Sequence, residues 1–444
     1  MSPALVILII DGVLTGAAAW LWDSGRDSVA FWAFVSLGVV AFGQILLFAV
    51  RPSANRSLKI QLALRKAHLV QMPLHTTVYV YWGLYWADVS RHAPFLLCQI
   101  ALAFALDSLF SWWRRGVWQA GLGPIPICMS TNLFFWSRDD TAWLQFGLIG
   151  LAYLAKEYLV WKRDGRVRHI FNPSAFPIAV IGAFLLATQS VGLTRGVDIV
   201  GSFDLPPSFY EVVFMTGIVV QLVFFTTWIS FGAIGTLIIL YYASIALLGI
   251  RFGPTAFDPS VFLGATLLVT DPATSPSSRA GKLLFGISYG LLVFVFCVVL
   301  RMLEMPSYFD KILPAPFCNL MVPWLESLGV RIETALVNTT ALRIFQNRLV
   351  PVALYATTFA VTLPSLKNPT FGGYNPLPPP AINFSDPVSR QLLASHACRT
   401  QFPEVYRPFG FVEEARKYHV IRPFLQRAVG DSPPAQPSLR SASR

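Results

Sequence analysis

Apolar residues along this chain come in long blocks separated by short polar gaps. Runs of spanning length occupy 5–22, 31–50, 69–86, 95–113, 117–136, 143–161, 175–191, 212–228, 231–250, 259–270, 282–302 and 313–330, with a shorter thirteenth at 349–363 that carries Pro351 and is followed by Pro364. A bilayer crossing takes about 20 apolar residues in helical form. The pattern therefore predicts an all-α, polytopic membrane helical bundle. The run at 259–270 is too short to cross at the rise of a helix, so it predicts a broken helix or one extended by irregular chain. The first run contains Asp11 and lacks a basic leader and a small-residue cleavage site, so it reads as a retained span.

Composition agrees. Of 444 residues, 55% are apolar and 13% charged, against roughly 25% charged in soluble domains, which excludes a soluble enzyme. The 34 Lys and Arg against 23 Asp and Glu fall mainly in the gaps, so the excess points to topology and anionic lipid and not to nucleic acid. Basic sets follow the second, fourth, sixth, tenth and twelfth runs, which predicts a multi-pass inner-membrane protein with a cytoplasmic N-terminus. Arg138, Arg195 and Arg251 fall on the other side. After residue 365 the chain becomes Pro-rich, and 366–444 is expected to be a partly disordered extramembrane tail with a docking stretch near 402–425.

The five cysteines, Cys98, Cys128, Cys297, Cys318 and Cys398, are far apart and the six histidines scattered, so no metal site is expected. Phosphate-loop, dinucleotide and hydrolase signatures do not stand out. The informative signal is internal. Phe171-Asn172-Pro173-Ser174-Ala175-Phe176 recurs as Phe257-Asp258-Pro259-Ser260-Val261-Phe262, identical at four of six positions. Asn or Asp before Pro at the head of an apolar run is cap chemistry: the side-chain oxygen accepts a free helix N–H, and proline loses nothing where its own would be orphaned. Asp271-Pro272 repeats the signal and predicts a further helix or half-helix. By the count of spans, the two related starts enter from opposite faces as an inverted repeat, aiming the positive ends of broken helices at a common site.

These residues resemble a known family. Lys156-Glu157 followed by Phe171-Asn172-Pro173, then Leu263-Gly264-Ala265-Thr266-Leu267 with Thr270-Asp271-Pro272-Ala273-Thr274-Ser275-Pro276, then Asn319-Leu320-Met321-Val322-Pro323, match in order and spacing the blocks of the RnfD/NqrB family. Its members are membrane components of Rnf-type electron transport complexes and of the sodium-translocating NADH:quinone reductase. The resemblance divides the chain into an N-terminal helical part (1–141), a family-like core (142–332), an extra membrane helix (333–365) and the tail. It implies an electron-transport subunit that binds flavin (FMN or riboflavin) and passes electrons between other membrane or periplasmic redox subunits or quinone, with coupling to ion movement. In that family FMN is joined to a threonine in the loop after the first Phe-Asn-Pro helix. The corresponding loop here, 189–209, holds Thr194 but not the attachment motif, and Thr266 has suitable neighbours but sits in the second-half block. The glycine-rich stretch before Phe-Asn-Pro is replaced by Arg163 to His169.

A flavin ring brings its own reactivity and asks of the protein a slot, donors and a charge environment. The residues expected around it are Asn172, Pro173, Asp258, Gly264, Thr266, Asp271 and Thr274. Elsewhere Lys156 and Glu157 read as a snorkelling interfacial pair, Asp107 and Glu304 as solvated helix ends, and Tyr79, Tyr81, Trp82, Tyr85 and Trp86 with Trp112 and Trp113 as an interfacial belt. A small-ion transporter and a non-redox membrane scaffold on the same fold are the alternatives left open.

Overall fold

A computed structural model gives the fold and describes residues 25–50, 59–248 and 259–366, apart from 164, 204, 207, 304 and 338, with scattered positions between 12 and 22. Asp258, Arg251, Glu304 and the tail from 367 lie outside the described residues. The chain is an all-α polytopic membrane protein with two very short two-stranded sheets at one end. In order the elements are α1 (Asp27–Val50), β1 (Lys59–Leu62), α2 (Lys66–Tyr85), α3 (Ala87–Arg115), β2 (Val117–Ala120), α4 (Pro124–Asn132), α5 (Ala142–Tyr158), β3 (Val160–Arg163), β4 (Arg166–His169), α6 (Ala175–Ala187), α7 (Gly196–Ser202), α8 (Phe209–Phe224), α9 (Thr227–Leu248), α10 (Pro259–Leu263), α11 (Arg279–Met302), α12 (Pro314–Ala335), α13 (Thr340–Gln346) and α14 (Leu349–Leu366). Among the described residues, four stretches are long and apolar enough to cross a membrane: Asp27–Leu47, Ala87–Arg115, Thr227–Leu247 and Arg279–Met302. β1 and β2 pair in parallel, and β3 and β4 form an antiparallel hairpin, between whose strands Gly165 has φ 70°, a conformation that glycine bears without penalty. All four strands sit at the end where α3 and α5 finish.

Helices α9 and α11 lie backbone to backbone. A Cβ on Gly286 would come 2.1 Å from the Ile229 carbonyl, and one on Gly290 2.6 Å from that of Ala233. With no hydrophobic drive between helices in lipid, such small residues allow the close contact that holds them. Gly329 of α12 meets Gly281 of α11 in the same way, 2.4 Å from its amide nitrogen for an added Cβ.

The apolar run at 117–136 is not one span. It is β2, the nine-residue α4 and a buried unwound stretch, Leu133 to Ser137. Bare backbone at such depth survives only when neighbours satisfy it. Gln145 accepts from the Ser137 N–H (2.9 Å) and donates to the Phe135 carbonyl (3.3 Å). Asn132 donates to Gln99 (2.8 Å) and accepts from Gln99 (3.3 Å), with His92 Nε2 2.9 Å from its oxygen.

The expected aromatic belt is in part a core. Trp82, Trp86 and Trp112 are buried to 1% exposure or less. Trp86 stacks on Trp136 at 5.0 Å, His92 stacks on the same ring at 4.0 Å, and Arg195 lies over both indoles at 5.5 and 5.8 Å. Arg195 also bonds Asp88 (2.5 Å) and Asp198 (3.1 Å). Asp107 is not a solvated end: it is buried and pairs with Lys156 at 2.6 Å. Lys156 and Glu157 therefore point to different partners, since Glu157 takes Arg115 at 3.1 Å and Arg114 at 3.7 Å.

Candidate functional site

The three blocks of the sequence meet at one buried junction. Asn172 opens α6: its Oδ1 accepts from the N–H groups of Ser174 (2.8 Å) and Ala175 (3.1 Å), with Pro173 at the first position, the cap chemistry that its spacing predicts. Its Nδ2 donates to the Leu268 carbonyl (2.8 Å), and its backbone N–H to Asn319 Oδ1 of α12 (3.0 Å). Asn319 Nδ2 then donates to the Thr274 carbonyl (3.1 Å). The head of the first repeat copy thus touches the tail of the second. At the opposite end of that pair, Phe309 packs where Gly182 of α6 leaves room, and Lys311 Nζ donates to Ser260 of α10 (2.6 Å).

The second copy is a broken helix. α10 runs for five residues and passes into a π-turn, Gly264–Leu268, with Val269 N–H bonding the Gly264 carbonyl (3.2 Å). A π-turn displaces carbonyls from their normal partners, and side chains take them over. Ser230 donates to the Ala265 carbonyl (2.8 Å), Gln221 to that of Thr266 (3.2 Å), and Thr270 to that of Thr266 (3.0 Å). Gly264 lies against the Tyr289 hydroxyl, which donates to the Lys311 carbonyl (2.6 Å).

Asp271 starts no helix. It organises a turn, its Oδ1 accepting from the Ala273 N–H (3.0 Å) and its Oδ2 from the Thr274 hydroxyl (3.0 Å), and α11 begins only at Arg279 behind the cap of Ser278. An aspartate before proline serves an isolated turn as well as a helix start, which is why the sequence signal misplaces a helix here. Burial pushes the Asp271 carboxyl up, but His169 at 3.7 Å and the two donors of its own turn outweigh that, leaving it below the ordinary carboxylate range. The rest of the loop is pinned from outside. Arg163 of β3 donates to the Ser275 carbonyl (2.8 Å) and Ser277 hydroxyl (3.2 Å), while Glu326 of α12 accepts from the Ser277 (2.5 Å) and Ser278 (3.1 Å) N–H groups.

Of the expected site residues, Asn172, Pro173, Asp271 and Thr274 gather at this junction. Gly264 and Thr266 lie further along the broken helix, and Thr266 faces away, its hydroxyl 2.8 Å from that of Tyr355 on α14 and its methyl against Gly217 of α8. Asn319, Arg163, Glu326, His169 and Tyr355 are not among the site residues expected from sequence. Asn319 and Glu326 stand in the third block and were findable there. Arg163, His169 and Tyr355 come from segments with no local signature.

A flavin phosphoester does not fit the threonines. Thr266 is fully buried against Tyr355, and Thr194 is buried with its hydroxyl bonded to the Val191 carbonyl (3.2 Å) and 3.4 Å from Tyr308 OH. A non-covalent group fits better, because Ser275 Oγ, next to Thr274 in the chain, and His169 Nε2, 3.7 Å from Asp271 Oδ2, are buried polar atoms without a hydrogen-bond partner, and such atoms ask for a ligand or an ion.

Residues 205–332 match the model of the NQR2, RnfD, RnfE family. The match holds the second and third blocks and begins after the first Phe-Asn-Pro copy. No curated protein and no solved structure matches the chain. Over residues 205–332 this chain is thus similar to the NQR2, RnfD, RnfE family, which supports a membrane subunit of the Rnf and Nqr type.

Proposed function

We propose that the chain is an integral-membrane electron-transport subunit that passes electrons between partner redox proteins or quinone, with ion movement coupled to it, through a flavin held without a covalent bond at the junction of Asn172, Asp271 and Thr274. The supporting observation is that the three family blocks, up to 147 residues apart, converge by hydrogen bonds on Asn172 and Asn319. His169 and Ser275 are the donors left to hold the group, and a flavin supplies the one- and two-electron chemistry that no side chain here provides. Asp271 keeps an anionic neighbour beside it. The chain's contribution is position and charge, so the protein needs partners on either side of the membrane.

The same reading places the protein in the inner membrane with the β1–β4 end in the cytoplasm. On the opposite end the arginines bring their own acids: Arg26 pairs with Asp139, Arg138 with Asp140, and Arg195 with Asp88 and Asp198. Two of the exceptions to the charge rule, Arg138 and Arg195, are thereby neutralised, while the strand end carries more basic than acidic residues.

The self-sufficiency of Asn172, Asp271 and Thr274, whose side chains spend their bonds on the protein, favours a second reading as a non-redox scaffold. Visible spectra of the full-length protein in detergent, before and after acid precipitation, separate the two. Yellow colour released into the supernatant is the expected result; colour kept in the pellet would overturn non-covalent binding. A colourless, folded protein would overturn the flavin reading and leave the scaffold or a small-ion transporter on the same fold.

A further inference from the structure

The hairpin that replaces the family's glycine-rich stretch reaches the junction through Arg163 and His169, and its other residues face elsewhere or lie at its rim. Its register sets Lys162 opposite Val167, so those two side chains share one face. Both are exposed, Val167 at 60%. The hairpin follows directly on the end of α5, where Tyr158 (46%) and Leu159 (39%) are also exposed. Arg115 and Arg114 at the end of α3 join the same surface through Glu157, and Arg114 lies 5.8 Å from the Tyr158 ring. Exposed apolar and basic side chains therefore lie together where the candidate span α3 and its neighbour α5 end. Lys162, Arg163, Arg166 and Arg168 against Asp164 give the hairpin +3, and the two arginines against Glu157 add +1.

We propose that this surface, Arg114, Arg115, Tyr158, Lys162 and Val167, binds an anionic diacyl phospholipid, its phosphate among the cations and an acyl chain along Tyr158 and Val167. The charge selects an anionic over a zwitterionic headgroup. The apolar side chains select a lipid over a soluble acidic partner, which would leave Tyr158, Leu159 and Val167 without apolar contact. The placement at a helix exit puts the phosphate at headgroup depth.

The test is a titration of the full-length protein in neutral detergent with phosphatidylglycerol, cardiolipin, phosphatidylcholine or inorganic phosphate, reading the thermal unfolding midpoint by tryptophan fluorescence. The two anionic lipids should raise the midpoint; phosphatidylcholine and free phosphate should not. Lys162→Glu combined with Val167→Glu should raise the lipid concentration needed for half the shift by about fivefold or more, since one basic residue near an anionic surface is worth about fivefold. Both positions are exposed, so the variant folds. Arg343→Glu, an exposed basic position on α13, makes the same charge reversal as Lys162→Glu away from the hairpin and should leave the titration unchanged. An equal shift with phosphatidylcholine or with free phosphate, a hairpin variant that titrates like wild type, or an Arg343→Glu variant that titrates like the hairpin variant would overturn the proposal.

Discussion

Asn319→Leu removes the side chain that holds both halves of the junction while keeping its volume nearly the same. Asn319 is 3% exposed, and its amide serves two backbone groups, the Asn172 N–H at 3.0 Å and the Thr274 carbonyl at 3.1 Å. Leucine serves neither. A buried backbone group stripped of its partner costs about 1–3 kcal/mol, so the two together cost about 2–6 kcal/mol, with little cavity contribution because the shapes are close. Denaturant titration of the detergent-solubilised protein, followed by tryptophan fluorescence, reads the loss as a lower unfolding midpoint at unchanged slope. Leu320→Ala, one residue along and 55% exposed, is the comparison and should barely move it. A loss of less than about 0.5 kcal/mol for Asn319→Leu, the range of an ordinary surface change, would refute the junction as the fold's central polar joint.

The contact between α8 and the broken helix gives a second test. A Cβ on Gly217 would stand 2.1 Å from the Thr266 methyl, so Gly217→Ala should destabilise by roughly 1–3 kcal/mol, and Thr266→Ser in the same chain, which deletes that methyl, should restore most of it; no recovery would place the strain elsewhere. Asp271 sets an acid limit. Its folded-state value lies below the ordinary carboxylate value of 3.8, so its stabilisation is fully present above that value and is lost as pH falls through the lowered one. Thermal midpoints taken from about pH 6 to about pH 3 should therefore fall more steeply at the acid end for wild type than for Asp271→Asn, and parallel curves would remove Asp271 from the account.

The helical blocks and the Asn172 cap are readable because each is written locally, in apolar run length and in two adjacent residues. The break after Asn132 is not. Leu133 to Trp136 is as apolar as the helix before it, and what permits unwinding is Gln99 and Gln145, each on another helix. Asp107 misleads for the same reason, since its partner Lys156 is 49 residues away. At the site, Asn172, Pro173, Asp271 and Thr274 are found through the repeat and its proline signals, whereas His169 and Arg163 act through a hairpin whose packing against the loop has no local signature. Thr266 carries the right neighbours in sequence, but one turn of helix decides which way its hydroxyl points.

The bonds at the junction also limit how this molecule can move. Asn172 to Leu268, Asn172 to Asn319 and Arg163 to the loop at Ser275 and Ser277 all tie the first repeat copy's surroundings to the second's. A rigid rocking of one half over the other would have to open this latch all at once, stranding several buried donors and acceptors at about 1–3 kcal/mol apiece. Cargo crossing this fold would have to travel by small, local yielding of the pinned loop while the two halves stay locked.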